Sequence, residues 1–371
     1  MGHETRTTDI IVIGGGIAGA GVAAAVAGSR RTLVLEREDR AGHHSTGRSA
    51  AIFIQNYGNA AIRALSRASA PLFQQGDPEF FPTPLLTPRG VLFVAGETAL
   101  DRHAELLAQA EGLQAMDVNA AAAMVPILDR TWLRAAAYES DASDIDVNAL
   151  HQGFLRQAAR AGAALQPSAE ILGGRRRDGV WRIDTSAGPV EAPIVVNASG
   201  AWADTTARLL GVAPLGLQPF RRSMAILPAP AGHVVRPWPL VSESAEAFYF
   251  KPDAGRLFVS PSEEDPVDPH DTYPDDLVLA EGLDRYAQAV TAPVERLLGS
   301  WAGLRTFAPD RTPVAGFDPT ADGFFWLAGQ GGYGIQTAPG LSRLAGALLT
   351  GAAPDAALSE AAVALDPARF R

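Results

Sequence analysis

Gly14, Gly16 and Gly19 stand in G-x-G-x-x-G spacing directly after the apolar run Ile10–Ile13, and Glu36 follows about twenty residues beyond Gly16. That spacing suits a diphosphate. The first glycine permits a tight turn, and the second lets backbone approach the anion. The third lets the next helix sit close to the strand, with its N-terminus facing the negative charge. Glu36 closes a second apolar run, Thr32–Leu35, where a carboxylate accepts the ribose hydroxyls of an adenosine. A second cluster, Gly329, Gly331, Gly332 and Gly334, again separates an apolar run from a helical stretch, near the far end of the chain. A helix N-terminus there stabilises electron density building on a bound ring. A nicotinamide-dependent dehydrogenase needs one such turn, whereas two from opposite chain ends favour the longer body of FAD. Without that chemistry, the first cluster is a Gly-rich turn with Glu36 capping a strand, and the second a turn closing a sheet.

Positioning these groups takes an α/β scaffold. Ile10–Ile13 is entirely apolar and β-branched, the mark of a buried strand, and residues 20–27 are almost all Ala and Val, a helix that packs closely on a sheet. From about Pro71 the texture changes: "PLLTPRGVLFVAG" (84–96) contains a strand, followed by Ala-rich helices to about Val125. "DIDVNALHQGFLRQAARAGA" (144–163) predicts a helix with Asp or Asn near its start and Gly162 near its end. "AEILGG" and "VWRIDTS" predict strands joined at Asp178-Gly179, with "EAPIVVNASGAW" as a third strand of the meander. Residues 215–300 alternate short strands with Pro-rich turns, as an antiparallel sheet does, with loops at 228–239 and 261–274.

A chain of 371 residues exceeds what one core usually holds, so two domains are expected. Hydrophobic residues make up 47% and charged residues 19%, and a net charge of −10 argues against nucleic acid or an anionic membrane as partner. Lys251 is the sole lysine, and there is no cysteine. That removes disulfides, thiolate nucleophiles, iron–sulfur clusters and a cysteinyl bond to a cofactor. The polar start "MGHETRTTD" leads straight into the first strand, and no apolar run reaches about 18 residues. No signal peptide, transmembrane segment or metal centre is expected, and a cytoplasmic protein is the default expectation.

Four further stretches lie in order along the chain: "HSTGRSAA" (44–51), "VVNASGAW" (195–202), "WAGLRTFAPD" (301–310) and "GQGGYGIQTAP" (329–339). With the opening glycines they resemble the D-amino-acid oxidase-type flavoproteins over nearly the whole chain, and within them the bacterial D-arginine dehydrogenase group. The resemblance implies a Rossmann-like FAD-binding domain of glutathione-reductase type, assembled from residues 1–75, 145–218 and 300–371. It implies a substrate domain from residues 76–144 and 219–299, on a mixed, largely antiparallel sheet. Carried over residue by residue, it places the FAD pyrophosphate at Gly14, Gly16, Ala18 and Gly19, the adenosine ribose at Glu36, and Arg37 beside the adenine. Ser45, Thr46, Arg48, Ser49, Ala50 and Ala51 would run under the pyrophosphate and flavin, and Ile171 would offer backbone to the adenine. Gly331, Gly332, Tyr333, Gly334, Ile335 and Gln336 would lie at the flavin pyrimidine. Members with a covalent tether use Cys or His. With Cys absent and His44 the only well-placed His, non-covalent FAD is expected.

The implied reaction is oxidative deamination of a D-amino acid to the 2-imino acid, which hydrolyses to a 2-oxo acid and ammonia. Hydride passes to flavin N5, and a quinone or dioxygen accepts the electrons. A guanidinium suits the substrate carboxylate because it holds both oxygens at fixed geometry. Arg305 matches the family position for that clamp. Tyr249 would add a phenol hydrogen bond, Arg222 a second cation, and Tyr57, in "IFIQNYG", a lid. Gly332 and Gln336 would complete the wall. Outside the match, arginines usually pair at surfaces and such tyrosines sit in cores. No protein base is required if the amine deprotonates as the substrate binds. Members that prefer cationic side chains carry polar or acidic residues where Ile52, Ile54 and Val91 stand here. Burying a cation there without a carboxylate would cost several kcal/mol, so an apolar or aromatic D-amino acid is expected, provided that no acid reaches the pocket from elsewhere. Alternatives are oxidation of glycine, sarcosine, another secondary amine or a 2-hydroxy acid on the same fold, and a flavin-binding protein without turnover.

Overall fold

Ile10–Ile13 is fully buried because it lies inside a six-stranded sheet. The strands run in the order Ala164–Gln166, Thr32–Leu35, Ile10–Ile13, Ile194–Asn197, Phe324–Ala328 and Val314–Phe317. The first five are parallel and the last is antiparallel. The computed structural model describes residues 5–55, 57–110 and 112–371. Alternation along the strand feeds two cores. Ile10 and Val12 pack with Val22, Val26, Leu341 and Leu344 of helices Ile17–Val26 and Gly334–Thr350. Ile11 and Ile13 pack with Trp181, Ile183 and Ala207 on the other side.

That second face is covered by a four-stranded sheet ordered Arg6–Thr7, Val190–Ala192, Val180–Thr185 and Ile171–Arg177. The Asp178-Gly179 hairpin is present, with both residues at positive φ (52° and 82°), the backbone that a tight two-residue turn demands. The expected third strand is two strands. Pro193 cannot donate to a ladder and divides it. Val190–Ala192 closes the meander, and Ile194–Asn197 enters the parallel sheet.

The larger sheet has nine strands, antiparallel except where Leu240–Glu243 runs alongside Val91–Ala95. Gln218–Pro228 pairs with Gly299–Phe307 along nearly its whole length, so this stretch joins the larger sheet although it lies in the C-terminal segment expected to serve the cofactor. Leu92, Val94, Phe250 and Val259 point to a core shared with Leu279 and Tyr286 of helix Asp276–Ala289. That helix falls within residues 215–300, expected to be strands and turns. Asp275 starts it by accepting from Leu277 N and Val278 N, and Leu279, Gly282, Tyr286 and Ala289 form its buried stripe. Pro71, from about which the texture changes, sits within helix Ala60–Gln75, which packs on helix Gly334–Thr350. Among the described residues, no helix is long and apolar enough to cross a membrane.

Candidate functional site

The first glycine turn is too tight for side chains. Gly14 has φ +106°, and a Cβ there would stand 2.5 Å from Ala198 O. At Gly19 a Cβ would stand 1.8 Å from Gly14 O. Gly16 begins helix Ile17–Val26, and Thr46 Oγ1 accepts from Ile17 N at 3.0 Å, which fixes Thr46 at the helix N-terminus. Glu36 is 8% exposed and accepts Gly15 N on one oxygen (2.8 Å) and Glu38 N on the other (2.9 Å). Lone pairs remain for ribose hydroxyls. Arg37 stacks 4.2 Å from the Trp202 ring centre. Gly14, Gly16, Glu36, Arg37, Trp202 and Ile171 bound a cavity of about 190 Å³, with Ile171 at the edge of the four-stranded sheet.

Gly16, Ser45, Thr46 and Ala198 also bound a larger cavity of about 340 Å³. It runs past Ala18, Arg48, Ser49, Ala50 and Ala51 to Gly331, Gly332, Gly334 and Ile335 at the start of helix Gly334–Thr350. A Cβ at Gly331 would stand 2.2 Å from the Phe307 ring. An acid at one end and two glycine-lined helix N-termini along the trough fit an extended dinucleotide, and the cradle has no room for a side chain at Gly14, Gly19 or Gly331.

Several side chains around the trough are engaged elsewhere in the fold, Ser45 and Arg48 while still lining it. Arg48 turns its guanidinium to Asp271, Thr272 O (3.2 Å) and Ala302 O (3.3 Å), tying the 261–274 loop to the larger sheet. Ser45 Oγ donates to Leu304 O at 2.7 Å. Tyr333 directs its ring away from the trough, 5.0 Å from the Tyr57 ring, into an adjoining cavity with Arg305, Arg311, Glu246 and Glu264. His44 lies at the adenosine end, 2.8 Å from Glu38 and 4.6 Å from the Trp202 ring. Burial pulls its pKa down against Glu38's hydrogen bond. Glu38, His43 and His44 cluster as metal ligands do, but Arg37 lies 3.2 Å from His44 and Arg48 3.5 Å from His43, so guanidinium groups already supply cations there.

The substrate end is built on two paired strands. Arg305 lies opposite Phe220, and Arg222 follows two residues along the neighbouring strand, on the same face. Arg222 is 6% exposed and pairs with Glu264 at 3.2 Å, a carboxylate shared with Arg311 at 2.8 Å. Burial, then the charge of Arg305, lower the pKa of Arg222. Burial also works against the charge on Arg305, but the fields of Tyr249, Tyr57, Glu246 and Glu264 outweigh it and raise its pKa. The Arg305 guanidinium has no hydrogen bond or ion pair among the described residues. A Cβ at Gly332 would stand 3.1 Å from its Nη1, so the glycine leaves the guanidinium its space. Tyr249 and Tyr57 bound the same cavity, and burial raises the Tyr57 pKa, keeping its phenol protonated as a donor.

Gln336 is buried and lines the cavity; its amide accepts from Ile54 N (3.1 Å) and donates to Ser66 Oγ (3.2 Å), which braces the wall and leaves one N–H and one lone pair. Ile54, Val91 and Leu240 form an apolar wall with Ile52, Tyr57 and Tyr249. Two buried acids that the sequence reading missed also bound the cavity: Glu139 and Glu243. Glu139 pairs across the ladder with Val91, and period-two alternation on that strand is the signal that places it there. Both acids are engaged in the fold. Glu243 accepts Ala245 N (2.8 Å) and Ala247 N (3.0 Å), and burial raises its pKa.

A family model described as FAD dependent oxidoreductase matches residues 9–348. The chain is 25% identical to a glycine oxidase of Pseudomonas putida over 362 residues, covering 93% of this chain and 95% of that one. It is 31% identical over 171 residues to the FAD-dependent oxidoreductase domain-containing protein 1 of Bos taurus, a match spanning 42% of this chain and about a third (35%) of that protein. The crystal structure of a glycine oxidase from Geobacillus kaustophilus superposes with a TM-score of 0.81 at 25% identity, covering 94% of this chain and 96% of that one. That of an L-proline dehydrogenase from P. horikoshii gives 0.84 at 22% identity, covering 99% and 98%, a likeness of fold. Relatives aligned over nine-tenths or more of the chain include glycine oxidases, so the likeness reaches the family and not specifically the D-arginine dehydrogenase group.

Proposed function

The chain belongs to the FAD dependent oxidoreductase family, and from that premise we propose that it oxidises the amino group of a D-amino acid to the 2-imino acid, preferring side chains that are apolar near the α-carbon. What carries the reading is Arg305, a half-buried cation whose guanidinium faces the cavity without a hydrogen bond or ion pair among the described residues. It would hold both oxygens of the substrate carboxylate, with the Tyr249 phenol donating to the same group. Tyr57 would cover the bound amino acid, and the wall of Ile54, Val91 and Leu240 would exclude water. That surrounding favours the neutral amine over the ammonium, so no side-chain base is assigned. Bound FAD supplies the two-electron acceptor. Gly14, Gly16, Gly19, Thr46, Glu36 and the backbone of residues 331–335 would hold it, without a covalent tether, since His44 stands at the adenosine end. The released imine hydrolyses in water, and a quinone or dioxygen would take the electrons.

A second reading, oxidation of glycine or an N-methylated glycine, is favoured by the glycine oxidase match over 93% of the chain. Anaerobic reduction of the flavin by D-amino acids, their L-enantiomers, glycine and sarcosine separates the two. Faster bleaching by D-leucine or D-phenylalanine than by every other compound is the expected result. Faster bleaching by glycine or sarcosine favours the second reading, and preference for L-enantiomers overturns the first.

A further inference from the structure

The substrate cavity does not end at the apolar wall. It continues beneath helix Leu100–Gln109, where Arg102, Glu105, Leu106 and Gln109 bound it at i, i+3, i+4 and i+7 spacing, a single helical face. Phe93, from the strand opposite, also bounds it. Phe93 shares the cavity face with Val91, two residues away, whereas Leu92 and Val94 point to the opposite core. Leu106, Ala110 and Leu113 add apolar surface to this lining, beside Arg102, Glu105 and Gln109 of the helix and the buried Glu139 and Glu243. A hydrogen or methyl side chain on the α-carbon would leave all of this surface uncovered.

We propose that this lobe is a distal side-chain subsite, and that the substrate carries a long alkyl or arylalkyl side chain running from the Val91–Leu240 wall to the patch between Phe93 and Leu106. The inference rests on the amino-acid reading above and deepens it. Each methylene withdrawn from water against such a patch is worth about fourfold in affinity. The specificity constant therefore climbs from D-alanine through D-norleucine to D-homophenylalanine, where the ring reaches Leu106. Tips that are polar but uncharged meet Gln109 and Glu105 without loss.

The test uses the FAD-loaded protein with two readouts. In the first, kcat/KM is measured across that series for wild type, Leu106→Trp, which fills the lobe from the helix, and Phe93→Trp, which fills it from the strand. The D-homophenylalanine to D-alanine ratio is expected to exceed tenfold in wild type and to fall at least tenfold in both variants. A ratio is unaffected by the fraction of active protein. In the second, acetate and 4-phenylbutyrate are titrated against the flavin absorbance, where the aryl acid binds at least tenfold more tightly and loses that advantage in both variants. A flat series in wild type, or ratios within twofold of wild type in both variants, overturns the subsite. If no amino acid reduces the flavin while the aryl acid keeps its Leu106-dependent advantage, the amino-acid reading fails and the distal subsite stands.

Discussion

Arg305 holds a half-buried guanidinium against the cavity with no hydrogen bond or ion pair among the described residues, which costs desolvation and makes sense where a ligand supplies the anion. Arg305→Met therefore separates function from stability. Losing two charge-assisted hydrogen bonds of about 1.5–3 kcal/mol each raises KM for the amino acid by about a hundredfold or more. Because the substitution strands no protein partner, the melting temperature holds or rises. A variant with unchanged KM would remove Arg305 from the substrate site. Glu263 poses the opposite case: it is 9% exposed, and neither carboxylate oxygen has a hydrogen-bond partner among the described residues. Burial raises its pKa above the ordinary 4.5, against the pull of Ser223 and Arg222. The folded state therefore holds this proton more tightly than the unfolded chain, and stability falls as pH rises through the window above 4.5. Glu263→Gln should raise the melting temperature more at pH 8 than at pH 4.5. Thermal scans at the two pH values that show an equal or reversed gain would contradict this.

Strand Ser143–Ile145 is the middle of a three-stranded sheet, with Ile52–Phe53, the strand leading to the expected lid, on one side and Leu86–Pro88 on the other. Ile52 of the lid strand pairs opposite Asp144, whose carboxylate sits 2.6 Å from Lys251 Nζ and 2.6 Å from Arg89 Nη2. Two mostly buried cations thus share one anion. Asp144→Ala leaves both uncompensated, and urea denaturation should show a loss of about 3–5 kcal/mol. The lid strand loses its anchor as well, so KM should rise in the fraction that folds; an unfolding midpoint within error of wild type would show that the cluster holds nothing together. Elements whose backbone demands a residue type were legible in the sequence: the glycine turn before Ile17–Val26 and the Asp178-Gly179 hairpin both record positive φ or close approach. Elements set by tertiary pairing were not. Nothing local to Ile194–Asn197 tells that Pro193 sends it into a different sheet from Val190–Ala192. Helix Asp276–Ala289 lay hidden because its cap, Asp275, follows a Pro-rich loop whose turn residues dominate the local pattern. At the site, residue types picked out Arg305 and Tyr249, but the direction of the Tyr333 ring and the bracing amide of Gln336 depend on neighbours far away in the chain. The burial of Glu139 depends on which face of a short, mostly alanine strand meets the cavity.

At the scale of the molecule, the proposed reaction asks a protein of net charge −10 to receive a carboxylate, so the positive field has to be local. Arg222, Arg305 and Arg311 supply it around the two adjoining cavities, with Glu264 holding two of them in place. The trough that leads there is walled by residues near positions 14–19, 36–51, 198, 303–306 and 330–336, which come from both major sheets. Occupying it with cofactor should therefore stabilise the chain as one unit rather than one sheet alone. FAD at about a hundredfold its Kd contributes about 2.7 kcal/mol. Unfolding entropy for 371 residues, at about 2.1 cal/mol/K each, is about 0.8 kcal/mol per kelvin, so the melting temperature should rise by about 3 °C. The rise should appear equally in flavin release and in far-ultraviolet circular dichroism, as a single coincident transition. If the circular dichroism instead shows two steps, with only one displaced by FAD, the two sheets unfold separately and the cofactor does not join them. The local field of Arg222, Arg305 and Arg311 would then be assembled without help from the flavin, and carboxylate affinity would be the same in the apoprotein and the FAD-loaded protein.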